Sequence, residues 1–551
     1  MIRKGYRYLL TAAAAASAAA LLTFAARNDF GLGRNMEIMV NMMRELSLSY
    51  VDPVDPDKLM EGAAEGMVRD LDPYTEFIPE EQMSDFELLT TGKYGGVGSL
   101  IRQKGDWVKP YKGSPADRAG LKIGDKILAI DGKDAKGFTT EQVSSRLKGE
   151  PGSKVKVTVE HLDGSTETVT LQRERISIPG VPYTGWVADG IGYIRHSDFT
   201  EGCYEDMRAA VEKLRTEGEL KGLILDYRSN GGGIMQEAIK ILGMFVPKGT
   251  EVVSTKGRTE DSRQVYRTSS EPILPDLPLA VLINGNSASA SEIVTGALQD
   301  LDRAVVIGQR SYGKGLVQSP RPLGYNAMLK LTTAKYYIPS GRCIQAIDYS
   351  HSQEGSVKAI PDSLITEYRT RAGRKVYDGG GITPDIRTEP EYISRFAMTL
   401  YALGFIEDFG DDYMRRHPDQ RIDIRNFSIT DRDYAEFAEF MKDKKVPYES
   451  DTRRALKALK KAAEEDRFAD LKEKFDRVEA ELKDDTQTNL ETYRKEIVET
   501  INNDIVMRHG YSEGVIEHSL KDDPEVLRAT EILGDGAEYT RIVTEQDTPR
   551  K

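Results

Sequence analysis

The chain has 551 residues, a formal net charge of −13 and two cysteines. This length exceeds what one hydrophobic core normally serves, so several domains are expected. The acidic balance argues against a nucleic-acid surface, and no nucleic-acid partner is predicted. Cys203 and Cys343 are too few for a disulfide framework, and the sequence leaves open whether they pair or stay free. No cofactor and no metal site is predicted.

Residues 1–27 combine a basic start with a long apolar stretch. Three basic residues precede an uncharged run rich in alanine and leucine, which ends at Arg27. This order is typical of a secretory signal or of a retained membrane anchor, and the two interpretations carry nearly equal weight. Either one predicts an extracytoplasmic, periplasmic protein that is secreted across or anchored in the inner membrane.

Residues 28–91 are predicted to form a helical region. One helix shows an apolar stripe at a spacing of three and four residues, which local packing alone could explain. The stripe consists of Met36, Met39, Val40, Met43 and Leu46.

Residues 92–175 show a different pattern, in which a glycine-rich loop precedes a strand. A short helix follows near Ser114, then a strand over 126–130 and a helix over 140–147 with Val143 and Leu147 on one side. Two further strands, over 155–159 and 167–171, flank an Asp-Gly turn and predict a hairpin.

Residues 176–395 contain two buried strands that each lead into an unusual turn. The first strand, 222–227, is followed by the run 228–233, Arg-Ser-Asn-Gly-Gly-Gly. Glycines at a strand end leave backbone N–H groups exposed, as an oxyanion hole requires. Gly231 and Gly232 are the candidate donors, together with the N–H of Ala290. A turn that is merely tight explains the glycines about as well.

The second strand, 279–283, leads to Ser289 at the start of a helix with a three-and-four apolar repeat, and another apolar run follows at 304–307. Strand, turn, helix and strand therefore predict a βαβ unit with the serine at the carboxyl end of its strand, where open parallel sheets bind ligands. Ser289 and Glu292 also satisfy an ordinary helix capping box, which is the favoured interpretation of that tetrapeptide by itself.

A serine nucleophile needs a base, and none of the six histidines lies near either turn. Lys314, in Gly313-Lys314-Gly315, is the candidate. Lowering its pKa from 10.4 to 7 would take about 4 to 5 kcal/mol, which burial can supply. Gln318 would project to the same face in an extended segment and could orient the amine.

The run 308–315 also nearly matches a phosphate-binding loop of the form Gly-x-x-x-x-Gly-Lys-Ser/Thr. Gly315 stands at the last position and offers no hydroxyl for magnesium. Two prolines, at 320 and 322, occupy the place of the phosphate-capturing helix. Nucleotide binding is therefore not predicted.

Taken together, these patterns resemble the carboxy-terminal processing peptidases, or tail-specific proteases, a family of Ser/Lys serine peptidases with a PDZ domain. The resemblance covers roughly residues 36 to 390. It rests on residues 225–233, 287–293, 296–300, 313–318, 337–342 and 381–385.

The resemblance implies an α/β, multidomain fold with a ClpP/crotonase-like α/β catalytic core over 176–395, a PDZ domain over 92–175, and helical N- and C-terminal regions. It implies Ser289 as nucleophile, Lys314 as general base and Gln318 as the residue that orients the lysine. The expected activity is that of a serine endopeptidase acting through an acyl-enzyme. Ser311-Tyr312 stands where Thr-Phe is more familiar in the family, which is a mild departure.

A PDZ domain takes an extended peptide as an added strand and holds its terminal carboxylate in a cradle of backbone N–H groups. Residues Gly95, Gly96, Val97 and Gly98 would form that cradle. The expected partners are therefore protein or peptide substrates bound by their C-termini. The resemblance also suggests that region 28–91 is a dimerisation element, which predicts a homo-oligomer.

Residues 396–551 form a charged, helical C-terminal region. A heptad seam is predicted on one helix, and it consists of Phe468, Leu471, Phe475, Val478 and Leu482. Three roles stay open for this region, namely covering the active site, supporting assembly or binding an adaptor.

Two other interpretations stay open for the whole chain. The first is a catalytically silent or gated PDZ scaffold that only binds tails, although the presence of all three proposed catalytic residues speaks against it. The second is a hydrolase that uses His196 as its base, although a structural role for this histidine is favoured.

Overall fold

The part of the chain that the computed structural model describes comprises residues 31–101, 108–348, 358–359, 365–390, 392–482 and 485–544. The N-terminal segment predicted as a signal or anchor lies outside these residues. Within them, no helix has both the length and the apolar character needed to cross a membrane.

Helices dominate both ends of the chain and strands its middle. The α-helices are α1 31–49, α2 Pro56–Val68, α3 Met83–Thr91, α4 Pro115–Arg118, α5 Thr140–Leu147, α6 Cys203–Glu217, α7 Met235–Leu242, α8 Ala290–Asp300, α9 Arg395–Ala402, α10 Phe405–Arg416, α11 Asp431–Phe440, α12 Asp451–Glu465, α13 Lys472–Glu481, α14 Thr486–Thr492, α15 Arg494–Ser519, α16 Pro524–Gly534 and α17 Gly536–Thr544.

The β-strands are β1 Glu76–Ile78, β2 Lys93–Gly96, β3 Ser99–Ile101, β4 Val108–Pro110, β5 Lys126–Ile130, β6 Lys133–Asp134, β7 Lys154–Glu160, β8 Thr166–Gln172, β9 Glu174–Ser177, β10 Tyr183–Ala188, β11 Ile191–Arg195, β12 Gly222–Asp226, β13 Glu251–Lys256, β14 Gln264–Arg267, β15 Leu279–Ile283, β16 Val305–Gly308, β17 Leu316–Gly324, β18 Ala327–Tyr337, β19 Ile347–Asp348, β20 Lys358–Ala359, β21 Glu367–Arg369, β22 Lys375–Tyr377 and β23 Ile386–Arg387.

The chain divides into two units, of which the smaller contains, among the described residues, 31–83 and 318–332. Here β1 pairs antiparallel with β18, with Phe77 opposite Leu329. This strand interrupts the region that was predicted to be helical throughout. The predicted apolar stripe lies on α1, where Met36 is 60% and Val40 63% exposed.

The larger unit contains the region that resembles a PDZ domain, and its elements follow the predicted order. Strand β5, helix α5 and the β7–β8 hairpin lie where the sequence places them, and Val143 and Leu147 are both buried. The strands form a four-stranded sheet in the order β6-β5-β7-β8 and the small pairs β3-β4 and β2-β9. A separate apolar core fills this domain.

A six-stranded sheet in the order β10-β11-β12-β15-β16-β23 forms the centre of the larger unit. Five of its strands run parallel, namely β11, β12, β15, β16 and β23. Strand β10 is antiparallel and lies at the edge. Strand β15, helix α8 and strand β16 form the predicted βαβ unit. Because β15 is interior, its carboxyl end lies between the carboxyl ends of β12 and β16.

Helices α6, α7 and α8 cover one face of this sheet with a common apolar core. Every residue of α8 is buried, including the polar residues that the apolar repeat placed on an outer face. The opposite face is covered from the far end of the chain, because Val526, Ala529 and Ile532 of α16 and Val543 of α17 pack on Ile224 and other sheet residues. The predicted boundary at residue 395 separated the C-terminal region from the catalytic core. In the structure α16 and α17 are part of that core.

The rest of the C-terminal region forms a helical domain with its own core, built from α9, α10, α11, α14 and α15. The predicted heptad seam lies only partly on one helix, because Phe475 and Val478 are within α13, Leu471 and Leu482 flank it, and Phe468 precedes it. Helix α12 ends at Glu465, Arg467 follows with φ 64°, and the Phe468 N–H donates to the Ala463 carbonyl at 2.8 Å, so the chain turns before α13 begins. Phe468 and Val478 are 58% and 46% exposed.

Candidate active site

Ser289 occupies the turn between β15 and α8, with φ 54° and ψ −115°. Positive φ is unfavourable for a residue with a Cβ and typically costs about 1–3 kcal/mol, so the surrounding contacts must hold it. The residue is half-buried at the carboxyl end of its strand. This geometry presents the side chain at the edge of the parallel sheet, as the sequence predicts.

The carboxylate of Glu292 ties the serine turn to the lysine loop. Its Oε2 accepts hydrogen bonds from the backbone N–H of Ser289 at 2.8 Å and from that of Lys314 at 2.9 Å. Its Oε1 accepts from Ser311 Oγ at 2.6 Å and from the Gly313 N–H at 2.7 Å. The hydrogen bond from the Ser289 N–H to Glu292 is the one expected of a capping box. The same carboxylate also binds three groups of the lysine loop.

Burial raises the pKa of Glu292 to about 6, while its four hydrogen bonds work in the opposite direction. The side chain is fully buried. A carboxylate that accepts four hydrogen bonds has all its lone pairs engaged, and protonation would remove acceptor capacity from this hub. The charge state of Glu292 is therefore linked to the order of both loops.

Tyr336 ties the same two residues through their carbonyl groups. Its buried hydroxyl lies 3.1 Å from the Ser289 carbonyl oxygen and in hydrogen-bond contact with that of Lys314. The backbones at 289 and 314 are thus linked on their N–H side by Glu292 and on their carbonyl side by Tyr336. No local sequence signal distinguishes this tyrosine from the other aromatic residues in strands, so it was not predicted.

Lys314 is half-buried in the segment between β16 and β17. The Tyr312 N–H donates to the Ser287 carbonyl at 3.0 Å, and the Gly315 N–H donates to Gln345 Oε1 at 2.7 Å. The lysine backbone is therefore fixed on both sides. Gln318 lies in β17, where its Nε2 donates to Thr332 Oγ1 at 3.1 Å.

The glycine turn packs directly against the serine turn. The Asn230 carbonyl accepts from the Ala288 N–H at 3.0 Å and from Ser291 Oγ at 2.9 Å. Gly232 has φ +97°, and a Cβ there would lie 2.7 Å from the Cβ of Ser289. Only glycine fits at this position, so the turn is more than a tight reversal.

The three predicted oxyanion donors differ in their surroundings. The Gly232 N–H donates to Asn230 Oδ1 at 2.9 Å and is therefore engaged within the turn. Gly231 is exposed and has open space where a Cβ would stand. Ala290 begins α8, where first-turn N–H groups lack intrahelical acceptors. Among the described residues, the backbone N–H groups of Gly231 and Ala290 have no acceptor in this conformation.

His196 is fully buried between the rings of Phe199 and Tyr227. Burial lowers its pKa to about 3, which keeps the imidazole neutral. Its Nε2 lies 3.0 Å from the Asp198 carbonyl oxygen, whereas Nδ1 has no partner among the described residues. The residue is part of the core, as the structural interpretation expects.

The predicted carboxylate cradle is only partly a loop. Gly95 and Gly96 belong to β2 and pair with β9, while Val97 and Gly98 connect to β3. The carbonyls of Gly95, Val97 and Gly98 accept hydrogen bonds from other parts of the same domain. Gly98 has φ +72°, and a Cβ there would lie 2.4 Å from Ser114.

Three of the quoted motifs meet at the carboxyl end of α8, away from the serine. Arg342 Nη2 donates to Gln299 Oε1 and Asp300 Oδ1, both at 2.8 Å. Gln299 Nε2 in turn donates to Asp385 Oδ1 at 3.0 Å. These motif residues are therefore architectural.

Two further sequence features are the near-match to a phosphate-binding loop and the two cysteines. The segment after Gly315 is strand β17 and not a helix, so the near-match to a phosphate-binding loop fails as predicted. Cys203 and Cys343 are both unpaired, and Cys203 is buried.

Three family models match the chain. Residues 190–351 match Peptidase family S41, residues 108–161 match the PDZ domain, and residues 396–533 match the C-terminal helical domain of a probable PDZ-protease. The fold and these matches define a multidomain serine-type peptidase with a PDZ domain and a C-terminal helical domain.

Similar proteins identify the family within this class of serine-type peptidases. The chain is 38% identical over 314 residues to a carboxy-terminal-processing protease of Bartonella bacilliformis, covering 56% of this chain and 72% of that protein. It is 35% identical over 316 residues to a probable CtpA-like serine protease of Staphylococcus aureus, strain N315, covering 56% of this chain and 62% of that protein. Among solved structures, the photosystem II D1 C-terminal processing protease aligns at a TM-score of 0.35 and 26% identity, over 65% of this chain and 93% of that one. The chain belongs to the carboxy-terminal processing protease family.

Proposed function

We propose that the protein is an endopeptidase that binds the C-terminal segments of extracytoplasmic proteins through its PDZ domain and cleaves them with a Ser289/Lys314 dyad. The observation that carries the proposal is the double link between the two residues. Glu292 accepts hydrogen bonds from both backbone N–H groups, and the Tyr336 hydroxyl contacts both carbonyls. Two side chains whose backbones are fixed in this way can act on one substrate bond.

In the proposed reaction Lys314 Nζ, in its neutral form, takes the proton of Ser289 Oγ as the oxygen attacks the scissile carbonyl carbon. The N–H groups of Gly231 and Ala290 stabilise the developing oxyanion. The C–N bond then breaks, and the lysine ammonium gives its proton to the departing amine. Water then attacks the acyl carbon while Lys314 takes its proton, the ester C–O bond to Ser289 Oγ breaks, and the lysine ammonium returns the proton to Ser289 Oγ as the acid leaves. Gln318 is proposed to orient the lysine.

Recognition of the substrate is assigned to the segment Gly95, Gly96, Val97 and Gly98 and to the adjoining strand β3. A PDZ domain favours a free terminal carboxylate, because backbone N–H groups bind it. The basic and apolar N-terminal segment supports an extracytoplasmic location. The helical region 28–91 is proposed to mediate self-association.

Cleavage of an unstructured protein by the wild type, Ser289→Ala and Lys314→Ala tests the chemistry. Both variants should lose at least about 10³-fold in kcat, because nucleophile and base act as a unit. Lys221→Ala is the matched control, since this lysine pairs with Asp189 on the surface and should keep full activity. Cleavage by folded Lys314→Ala protein would exclude the dyad, and a wild type as inactive as Ser289→Ala would favour a scaffold.

Tail recognition is tested with one peptide in two forms, with a free C-terminal carboxylate and with an amide. We expect the acid to be cleaved with a KM about tenfold or more below that of the amide, because a charged hydrogen bond to backbone N–H groups is lost in the amide. Equal kinetics for the two forms would contradict the proposed role of the PDZ domain while leaving the dyad intact.

A further inference from the structure

Three loops leave the carboxyl edge of the central sheet beside the serine turn. The loop after β12 begins near Arg228 and leads into the glycine turn. The loop after β16 begins at Gln309 and leads to Lys314. Thr388 follows β23. Strand β15, which carries the serine turn, lies between β12 and β16 in the sheet.

One carboxylate from the C-terminal helices holds all three loops. Glu525 Oε2 accepts from Arg228 Nη1 at 2.8 Å. Its Oε1 accepts from Gln309 Nε2 at 2.5 Å and from the Thr388 hydroxyl. Glu525 is 5% exposed, so water competes little for these bonds and their geometry is well defined.

The position of Glu525 is itself fixed. It lies in the first turn of α16, where Asp523 caps the helix by accepting from the Glu525 and Val526 N–H groups at 2.9 and 3.0 Å. Asp523 Oδ2 also lies 2.7 Å from Arg228 Nη1. The helix is packed on the sheet through Val526 and Ile532, which are buried.

Arg228 transmits this contact to the base of the glycine turn. Its guanidinium pairs with Asp226 at the end of β12, with Nη2 to Oδ2 at 2.6 Å. Although burial raises the pKa of Asp226, Arg228 and Arg195 more than offset this and hold it well below its usual range. The arginine is thus bound by the carboxylate of Asp226 at the end of β12 and by those of Asp523 and Glu525 at the start of α16.

We infer that Glu525 is a positioning residue for the peptidase reaction, setting the spacing between the glycine turn and the lysine loop on either side of Ser289. This inference rests on the proposed function. Glu525 acts through Arg228 and Gln309 and does not touch substrate. A shift of one loop by about 1 Å can cost about 100-fold in rate, so a link across both loops bears directly on kcat.

The test is Glu525→Gln, which keeps the shape but removes one of the three carboxylate charges around Arg228. With a quenched-fluorescence peptide that the wild type cleaves, kcat should fall about ten- to a hundredfold while KM stays within about twofold. The rate at which a fluorophosphonate labels Ser289 should fall by the same factor, since this small reagent needs no PDZ binding. Glu531→Gln is the matched control, because Glu531 lies on the same helix in a surface pair with Arg528.

A second variant covers the case in which Glu525→Gln unfolds. Gln309→Leu breaks the same link from the loop side and leaves α16 intact, so it should lower kcat and labelling alike. In the double variant the loss should not exceed that of the more impaired single variant, because both changes break one connection. If the fold-loss of kcat in the double variant equals the product of the two single losses, the two residues act independently and the inference is overturned.

The outcomes separate the inference from the proposed function. If the wild type cleaves and labels while Glu525→Gln and Gln309→Leu match it, the inference fails and the proposed function stands. If KM rises while kcat is unchanged, Glu525 affects binding and not positioning. If the wild type neither cleaves nor labels at Ser289, the proposed function fails, and the inference fails with it.

Discussion

The two ends of helix α8 hold buried carboxylates in opposite ways. At the amino end, Glu292 is held by backbone N–H groups and the Ser311 hydroxyl. At the carboxyl end, Asp300 pairs with Arg342 at 2.8 Å, and beyond it Arg374 pairs with Asp302 at 2.8 Å. Neutral N–H and O–H dipoles bind the Glu292 carboxylate, whereas a charged guanidinium group binds that of Asp300.

This difference separates a functional cluster from an architectural one. Burial raises the pKa of Glu292 to about 6 and its neutral donors only partly offset this, so its charge can change under mild conditions. A buried ion pair cannot lose one partner without leaving an uncompensated charge. We therefore expect changes at the amino end to affect catalysis and changes at the carboxyl end to affect stability.

The largest expected effect is at the architectural end. Arg342→Met removes a fully buried guanidinium and leaves Asp300 unpaired, which should lower the free energy of unfolding by about 3–5 kcal/mol. Denaturant titration measures this loss. The kcat of the protein that remains folded should stay within about twofold of wild type. A large loss of kcat without destabilisation would show that the carboxyl end of α8 serves catalysis and not stability.

The next effect is at the functional end. In Glu292→Gln an amide NH₂ group replaces one carboxylate oxygen and cannot accept, so at least one backbone N–H of the two loops loses its acceptor. We expect kcat to fall about 100-fold, equivalent to about 2.7 kcal/mol, with KM little changed. Steady-state kinetics on a peptide substrate measure it. A variant with normal kcat would show that the carboxylate is only a helix cap.

The pH dependence of stability gives a third distinction. The pKa of Glu292 is raised from 4.5 to about 6, so the folded protein keeps this proton where the unfolded chain has lost it. Stability should therefore fall as pH rises from 4.5 to 6, by about 2 kcal/mol, and stay lower above that. The free energy of unfolding of Ser289→Ala protein, compared with Ser289→Ala/Glu292→Gln across this range, measures the contribution. Parallel curves would argue against it.

The smallest effect concerns Tyr336. Tyr336→Phe removes the hydroxyl that contacts the carbonyls of Ser289 and Lys314, while Glu292 still links their N–H groups. We expect a loss of about tenfold in kcat, or about 1.4 kcal/mol, the value of one buried hydrogen bond. Tyr337→Phe, one residue further along the same strand, is the control and should be neutral.

Much of the fold follows from local patterns. Strand β15, helix α8 and strand β16 were predicted because apolar runs and a three-and-four repeat define them, with small residues at the boundaries. The hairpin β7–β8 follows in the same way from its Asp-Gly turn. The serine, the lysine and the glycine turn were identified because their residue types are unusual at strand ends.

The features that sequence reasoning missed depend on contacts between distant segments. Glu292 was recognised as a cap, but its bonds to the lysine loop depend on tertiary packing, as do those of Tyr336. The turn that separates Phe468 from α13 had no glycine to mark it, because Arg467 takes the left-handed position where glycine is usual. The packing of α16 on the sheet had no local signal.

Within the described residues, the second face of the sheet that carries the candidate active site is covered by α16, α17 and residues at the end of α15. During synthesis, Ile224 and its neighbours are made about 300 residues before the segment that covers them. Native contacts so far apart in sequence close late in folding. A chain that lacks α16 therefore exposes these apolar side chains and lacks Glu525, so the order of synthesis delays the assembly of the site until α16 has been made.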